Sequence, residues 1–377
     1  MERCLNTQVY TREMQKEWLR SRDLLTVCNQ RNDNMDTFRN DQLENKKITI
    51  SDVAEALNVS KTTVSRAISG KGRISEDTRQ RVLDYIEAND YKPNVIAKGL
   101  AQKKTFNIAL VIPGDCNLVD MPFFQNSMQG ICEEASANDY DVMLVTTVDD
   151  SVTNLERMIA NNKVDGVILS RSMVKDKAAE FLKEQSIPFV LMGTSKDKGI
   201  LQVDNDHKAG CMELVSCMLK SGMTKIGLIG GSMSYVVNRT REQGYRDALR
   251  KAQTALDETL IFENCDENDK VEQAVKKLTE EKAECIVCMD DAICSSVLQI
   301  LAENDISVPN QMQIASFYDS TLLMNNKPAI TSLLFDDKAL GALTCKVLLQ
   351  YIQGEEVRGR TLLGYELIQR ESTLFGK

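Results

Sequence analysis

A chain of 377 residues, 42% hydrophobic and 27% charged, is too long for one compact core and predicts two or three globular domains with linkers. Its longest apolar runs, such as residues 108–113, are far short of the ~20 residues that cross a bilayer, and no apolar secretory region follows Met1. No spanning or exported chain is therefore expected, and the reading is of a soluble, cytoplasmic protein without a membrane partner. The net charge of −9 is unevenly spread: residues 1–46 hold eight basic and eight acidic side chains, residues 47–105 eleven against seven, and the remainder 27 against 40. A basic segment on an acidic body suits one end to a polyanion.

Residues 1–46 have no clear apolar period and include Met14 and Met35. They are expected to be an N-terminal extension, either a flexible tail or the product of a start site set too far upstream. From Thr49 the helix signals are dense. Thr49 caps a helix with Asp52 in its first turn, and Ile50, Val53 and Leu57 share one face. Asn58 tolerates the positive φ of a tight turn, and Ser60 caps a second helix over 61–69. Val64, Ala67 and Ile68 point inward there, while Lys61, Thr62, Ser65 and Arg66 form the outer face. A third helix follows Ser75, acidic at Glu76 and Asp77, with Val82, Tyr85 and Ile86 inward.

Two short helices with a tight turn, the second bearing polar and basic side chains near its start, fit a recognition helix in the major groove. Lys and Arg pair with guanine acceptors there, and Thr methyls touch thymine. A three-helix mini-domain with a solvated charged face accounts for the same pattern.

The runs 48–54, 59–66, 70–75 and 91–94 together resemble the DNA-binding domain of the LacI/GalR family of bacterial repressors. The resemblance implies an all-α helix-turn-helix domain over 47–92 and a hinge helix with linker over 93–105. By it, Lys61, Thr62 and Arg66 contact bases, and Thr49, Thr63, Ser65 and Arg73 support the phosphate contacts. Residues 94–100 resemble the family's hinge helix, with Asn94, Ala97, Lys98 and Leu100 at the DNA and Leu100 as a minor-groove wedge. An apolar wedge unstacks a base step and bends the duplex. A seven-residue helix containing Gly99 is marginal alone, so a partner hinge and DNA would be needed to form it.

After Thr105, apolar runs at 108–112, 142–145, 166–169, 189–191, 226–229, 286–288 and 314–317 read as buried parallel strands. Helix-length segments separate them, which predicts a doubly wound α/β core with a cleft beyond the strand ends. Eleven scattered cysteines fit reduced thiols. Cys285 and Cys288 lie three apart on one strand and face opposite ways, so both read as core and not as a metal pair.

This region resembles the LacI/GalR core, which has the fold of periplasmic sugar-binding proteins, at residues 121–124, 164–169, 203–206 and 229–231, at Arg239 with Gly244 and Tyr245, and at 318–319 and 369–372. The resemblance implies a two-lobed periplasmic-binding-protein-like core over 106–377 with parallel sheets. Lobe one is expected at 106–204 and 333–354, lobe two at 205–330 and 356–377. Phe123 and Phe124 would wall the cleft, Arg239 would hold a ligand oxygen and Asp319 would accept from ligand hydroxyls. Alternatively, Arg239 and Asp319 form a structural ion pair. Met289 stands where many relatives carry a pocket amide. The runs 116–120 and 235–237 look like maltose-type regulators of the family.

The resulting expectation is a transcriptional repressor: a homodimer on palindromic double-stranded operator DNA, controlled by a small-molecule effector, a sugar, bound between the lobes. Control by a protein partner is the alternative. The only histidine, His207, lies beside Asp204, Asn205 and Asp206 at a helix start, where capping explains the acids. There is no nucleophile elbow, Walker loop or paired metal motif, so no enzyme, cofactor or metal is expected.

Overall fold

The computed structural model describes residues 48–70, 72–91, 99–100, 102–114, 121–147 and 151–373, in two units divided after residue 98. The extension 1–46 and the segment 92–98 lie outside the described residues, as do Lys71 and residues 115–120.

In the first unit, α1 (Ile50–Ala56), α2 (Lys61–Ser69) and α3 (Glu76–Ala88) begin at the expected caps. The Thr49 N–H donates to Asp52 Oδ2 at 2.8 Å, closing a capping box; Ser60 accepts from the Thr63 N–H, and Ser75 from that of Thr78. Each cap satisfies an amide that the helix leaves without a partner. Asn58 at φ 51° and Gly70 at φ 68° make the turns. Val53, Ala54, Val64, Ala67, Val82 and Tyr91 fill a small core, with Ile50, Leu57, Ile68, Tyr85 and Ile86 packed on it.

The second unit holds two six-stranded sheets. In the first, β1 (Asn107–Pro113), β2 (Asp141–Thr147), β3 (Gly166–Leu169), β4 (Phe189–Met192), β5 (Leu201–Asn205) and β11 (Arg360–Leu363) are parallel, in the order β11-β5-β4-β3-β1-β2. In the second, β6 (Ile226–Ile229), β7 (Ile261–Phe262), β8 (Cys285–Cys288), β9 (Gln313–Ser316), β10 (Thr331–Leu334) and β12 (Glu366–Ile368) run in the order β12-β10-β9-β8-β6-β7. Only β12 is antiparallel to its neighbour.

Helices α4 (Pro122–Ala137), α5 (Thr153–Ala160) and α6 (Lys177–Glu184) connect the first sheet. Helices α7 (His207–Lys220), α8 (Val236–Lys251), α9 (Asn268–Glu280), α10 (Asp291–Glu303) and the short α11 (Thr321–Asn325) follow with the second, and α12 (Asp337–Ile352) returns to the first.

Alternation along the strands builds a core on each face. Ile108, Leu110 and Ile168 pack on one side of the first sheet, Ala109, Val111, Val167 and Leu169 on the other. In the second sheet Cys285, Val287 and Met289 share one core, and Ile286 and Cys288 the opposite one. The two thiols of the CxxC therefore sit on opposite faces.

All seven expected strands are present and parallel, but β2 is an edge strand with Leu144 53% exposed, and so is not buried as expected. Strands β5, β7, β10, β11 and β12 went beyond the apolar runs because they are short, mixed or at edges. The expected lobe limits shift as a result. β10, partly assigned to lobe one, pairs in the second sheet, and β11, assigned to lobe two, pairs with β5 in the first. The chain passes between sheets three times: after β5, between β10 and α12, and between β11 and β12.

Candidate nucleic-acid interface and ligand cleft

On α2, Lys61, Thr62, Ser65 and Arg66 are all exposed, while Val64 and Ala67 are buried. At about 100° per residue the four exposed side chains span an arc of about 140°. This is one continuous polar and basic face. Gly72, at φ 91°, supports it: a Cβ there would come within 3.0 Å of Arg66 Cδ, so the glycine leaves room for the arginine stem to lie across the loop. Arg73 is exposed on the same loop.

Two predicted contacts also have structural tasks. The Thr49 hydroxyl donates to Asp52 Oδ2 at 2.8 Å, and the Thr63 hydroxyl is paired with that of Ser60 at 2.9 Å. Asn94, Ala97 and Lys98 lie outside the described residues. Leu100, at the start of the second unit, is 84% exposed.

In the second unit, loops from the carboxyl ends of both sheets surround a cleft of about 530 Å³. Phe123 and Phe124, at the start of α4, line it with their rings 5.1 Å apart and nearly perpendicular. Tyr235, Tyr318 and the buried Arg241 line it too. Arg241 Nη1 donates to the Met289 carbonyl at 2.6 Å, and its Nε has no partner among the described residues. Five carboxylates, Asp204, Asp266, Glu267, Asp290 and Asp291, reach the wall.

Burial pushes the Asp204 carboxyl up, but hydrogen bonding and charge from His207, the Thr194 hydroxyl and the Asn205 N–H outweigh it and hold it below the usual range. Asp290 caps α10 by accepting from the Ile293 N–H at 2.8 Å; burial raises it above the ordinary value. Burial, then the charge of Asp290, pushes Asp291 up to about 6. For His207, burial and the nearby Arg241 lower the pKa despite the opposing Asp204.

Three predicted ligand contacts need correction. Arg239 is exposed, and its Nε donates to the Met233 carbonyl at 2.6 Å, outside the cleft. Two residues along a helix are about 200° apart, so Arg241 and not Arg239 turns inward. Asp319 is held in a bidentate pair by Arg370, Nη1 to Oδ1 at 2.8 Å and Nη2 to Oδ2 at 2.7 Å, and accepts from the Ser332 hydroxyl. It is a structural ion pair, but with Arg370 and not with Arg239. The Met289 side chain is fully buried in the second sheet's core, and only its carbonyl serves the site, through Arg241.

Sequence reasoning did not assign Arg241, His207, Asp290, Asp291 or Tyr318 to the cleft. A signal for Arg241 was present: Asn238, Arg241, Tyr245, Ala248 and Leu249 repeat at helical spacing and are all buried.

Residues 49–94 match the model for bacterial regulatory proteins of the lacI family, and 215–373 the model for a periplasmic binding protein-like domain. The chain is 29% identical over 335 residues to catabolite control protein A of Priestia megaterium, covering 86% of this chain and 99% of that relative. Its fold is similar to that of the transcriptional regulator CelR in complex with cellobiose, with TM-score 0.65 and 27% identity, covering 86% of this chain and all of the other. It is also similar to the lac repressor dimer bound to operator and an anti-inducer, with TM-score 0.70, covering 87% and 99%, where 23% identity speaks to the fold alone. These likenesses do not single out a maltose-type regulator.

Proposed function

We propose, from the premise that this chain belongs to the lacI family of bacterial regulatory proteins, that it is a DNA-binding transcriptional regulator whose hold on its operator is set by a small sugar in the cleft. The observation that carries this reading is the exposed arc of Lys61, Thr62, Ser65 and Arg66 on a helix whose other face builds a core. Such an arc offers bidentate donors and a methyl at the spacing that base edges require. Arg73 and the segment 94–100, including Asn94, Ala97, Lys98 and Leu100, would add phosphate and minor-groove contacts.

A sugar suits the cleft because aromatic walls meet directional polar groups there, and because a relative of the same fold is known with cellobiose bound. The protein would act as a homodimeric repressor on a palindromic site in the cytoplasm, without catalysis. A ligand changes DNA affinity only through its differential affinity for the two lobe arrangements.

The test is to select bound duplexes from a random DNA pool with the full chain, and then to titrate the selected duplex in the presence of neutral sugars. Recovery of a palindromic sequence whose binding one sugar alters supports the reading. A chain that enriches no sequence refutes it.

A further inference from the structure

His207 is the only histidine of the chain and opens α7 at the cleft wall. Capping does not explain it, because Asp206 caps this helix by accepting from the Ala209 N–H at 3.1 Å. The ring packs 4.6 Å from that of Phe335, which a phenylalanine would do equally well. What the imidazole adds is polarity. Its Nε2 lies 3.5 Å from Asp204 Oδ1, and Asp204 is itself fixed by the Thr194 hydroxyl at 2.8 Å and the Asn205 N–H at 2.8 Å. A carboxylate at Nε2 places the proton of the neutral ring on that nitrogen, which leaves Nδ1 as an acceptor. Nδ1 is buried and has no partner among the described residues. An acceptor left in that condition is costly and is kept where a ligand completes it.

We propose that His207 reads a hydroxyl of the effector, which donates to Nδ1. This rests on the reading of the cleft as the effector site. Two other buried polar atoms of cleft residues also lack partners: Ser170 Oγ on the first lobe and Arg241 Nε on the second. One acceptor, one donor and one hydroxyl that can be either make a set that a polyol completes from both lobes at once. Because the donor must come from the ligand at His207, a sugar lacking that hydroxyl leaves the acceptor unmet and is rejected.

A single histidine gives an unambiguous probe. The full-length, untagged protein labelled with ¹⁵N-histidine is titrated with neutral hexoses and disaccharides, cellobiose among them, and binding is scored by the rise in Tm. A sugar that raises Tm is expected to shift the Nδ1 resonance. His207→Phe, which keeps the ring on Phe335, is expected to bind that sugar about tenfold or more weakly.

A bound sugar that leaves the resonance unmoved overturns the proposal, as does a folded His207→Phe protein that binds like the parent. Should the variant not fold, the resonance in the parent decides. If no sugar raises Tm, the effector reading itself falls, and this inference with it.

Discussion

The guanidinium of Arg171 lies over the ring of Tyr235, 4.6 Å from its centroid, and Nη1 donates to the Tyr235 hydroxyl at 3.3 Å. Arg171 follows β3 in the first lobe, and Tyr235 precedes α8 in the second. The backbones alongside are tied too: the Val174 N–H donates to the Ser234 carbonyl at 2.9 Å and the Val236 N–H to that of Ser172 at 3.2 Å. These contacts clip the lobes together at the cleft. A cation–π contact and one hydrogen bond together are worth about 1–2 kcal/mol. Arg171→Ala should therefore weaken the effector response about 5- to 30-fold and speed hydrogen exchange at Val174 and Val236. Unchanged exchange at both amides would count against the clip.

At the DNA face, Arg66→Ala should weaken operator binding by about 1–3 kcal/mol and relax base discrimination. Gly72→Ala tests the support of that arginine. At φ 91° the added Cβ is strained and presses on Arg66 Cδ, so operator affinity should fall together with about 1 kcal/mol of stability. Binding curves at fixed salt measure both, and parental affinity in Gly72→Ala would show that Arg66 does not rely on the glycine.

Arg241 and Arg239 can be separated directly. Arg241→Ala removes a buried, charge-assisted contact of ~1.5–3 kcal/mol and should shift the effector response of operator binding about 10- to 100-fold. Arg239→Ala removes an exposed side chain and should leave the response where it was. The reverse result would move the ligand to the other side of α8.

Asp337 gives a pH signature. Burial, more than any other cause, pushes its carboxyl up to about 6, although the Tyr318 hydroxyl donates to Oδ2 at 2.5 Å. An unfolded aspartate ionises near ~3.9, so between these values the folded chain holds a proton that the unfolded chain has released. The stabilisation from this group is present at low pH and is lost as pH rises through about 6. Asp337→Asn cannot ionise and should gain on the parent between about pH 4 and pH 7, by of the order of 2 kcal/mol. Urea midpoints at the two pH values measure it, and a difference independent of pH would contradict the raised carboxyl.

Much of the architecture was legible because local rules and tertiary packing agree. Thr49, Ser60 and Ser75 cap the helices that their sequences announce, and Val53, Val64 and Val82 meet in one core. The buried strands were equally plain, since Ile108, Val167, Val190 and their neighbours are apolar on both faces. Phe123 and Phe124 line the cleft. The helical period of α8, which turns Arg241 inward and Arg239 outward, is a local signal that the expectation at Arg239 leaves unused. Asp319 was not decidable by any local rule, because its partner Arg370 lies 51 residues away and reaches it only once β12 has paired with β10. Strands β11 and β12 were hidden for a related reason: Arg360–Leu363 and Glu366–Ile368 contain only exposed and half-buried residues and owe their order to the strands they join.

Those two short strands bear on how the chain comes off the ribosome. β11 borders β5 and β12 borders β10, so the last strand of each sheet is supplied by residues 360–368. Until that segment emerges, both nascent sheets present a row of unpaired amides and carbonyls at an edge, the arrangement most open to pairing with another chain. A message truncated shortly before it would release a polypeptide with nearly all its apolar residues and neither sheet complete. Its expected fate is aggregation or proteolysis, and a half-active regulator is not an expected product.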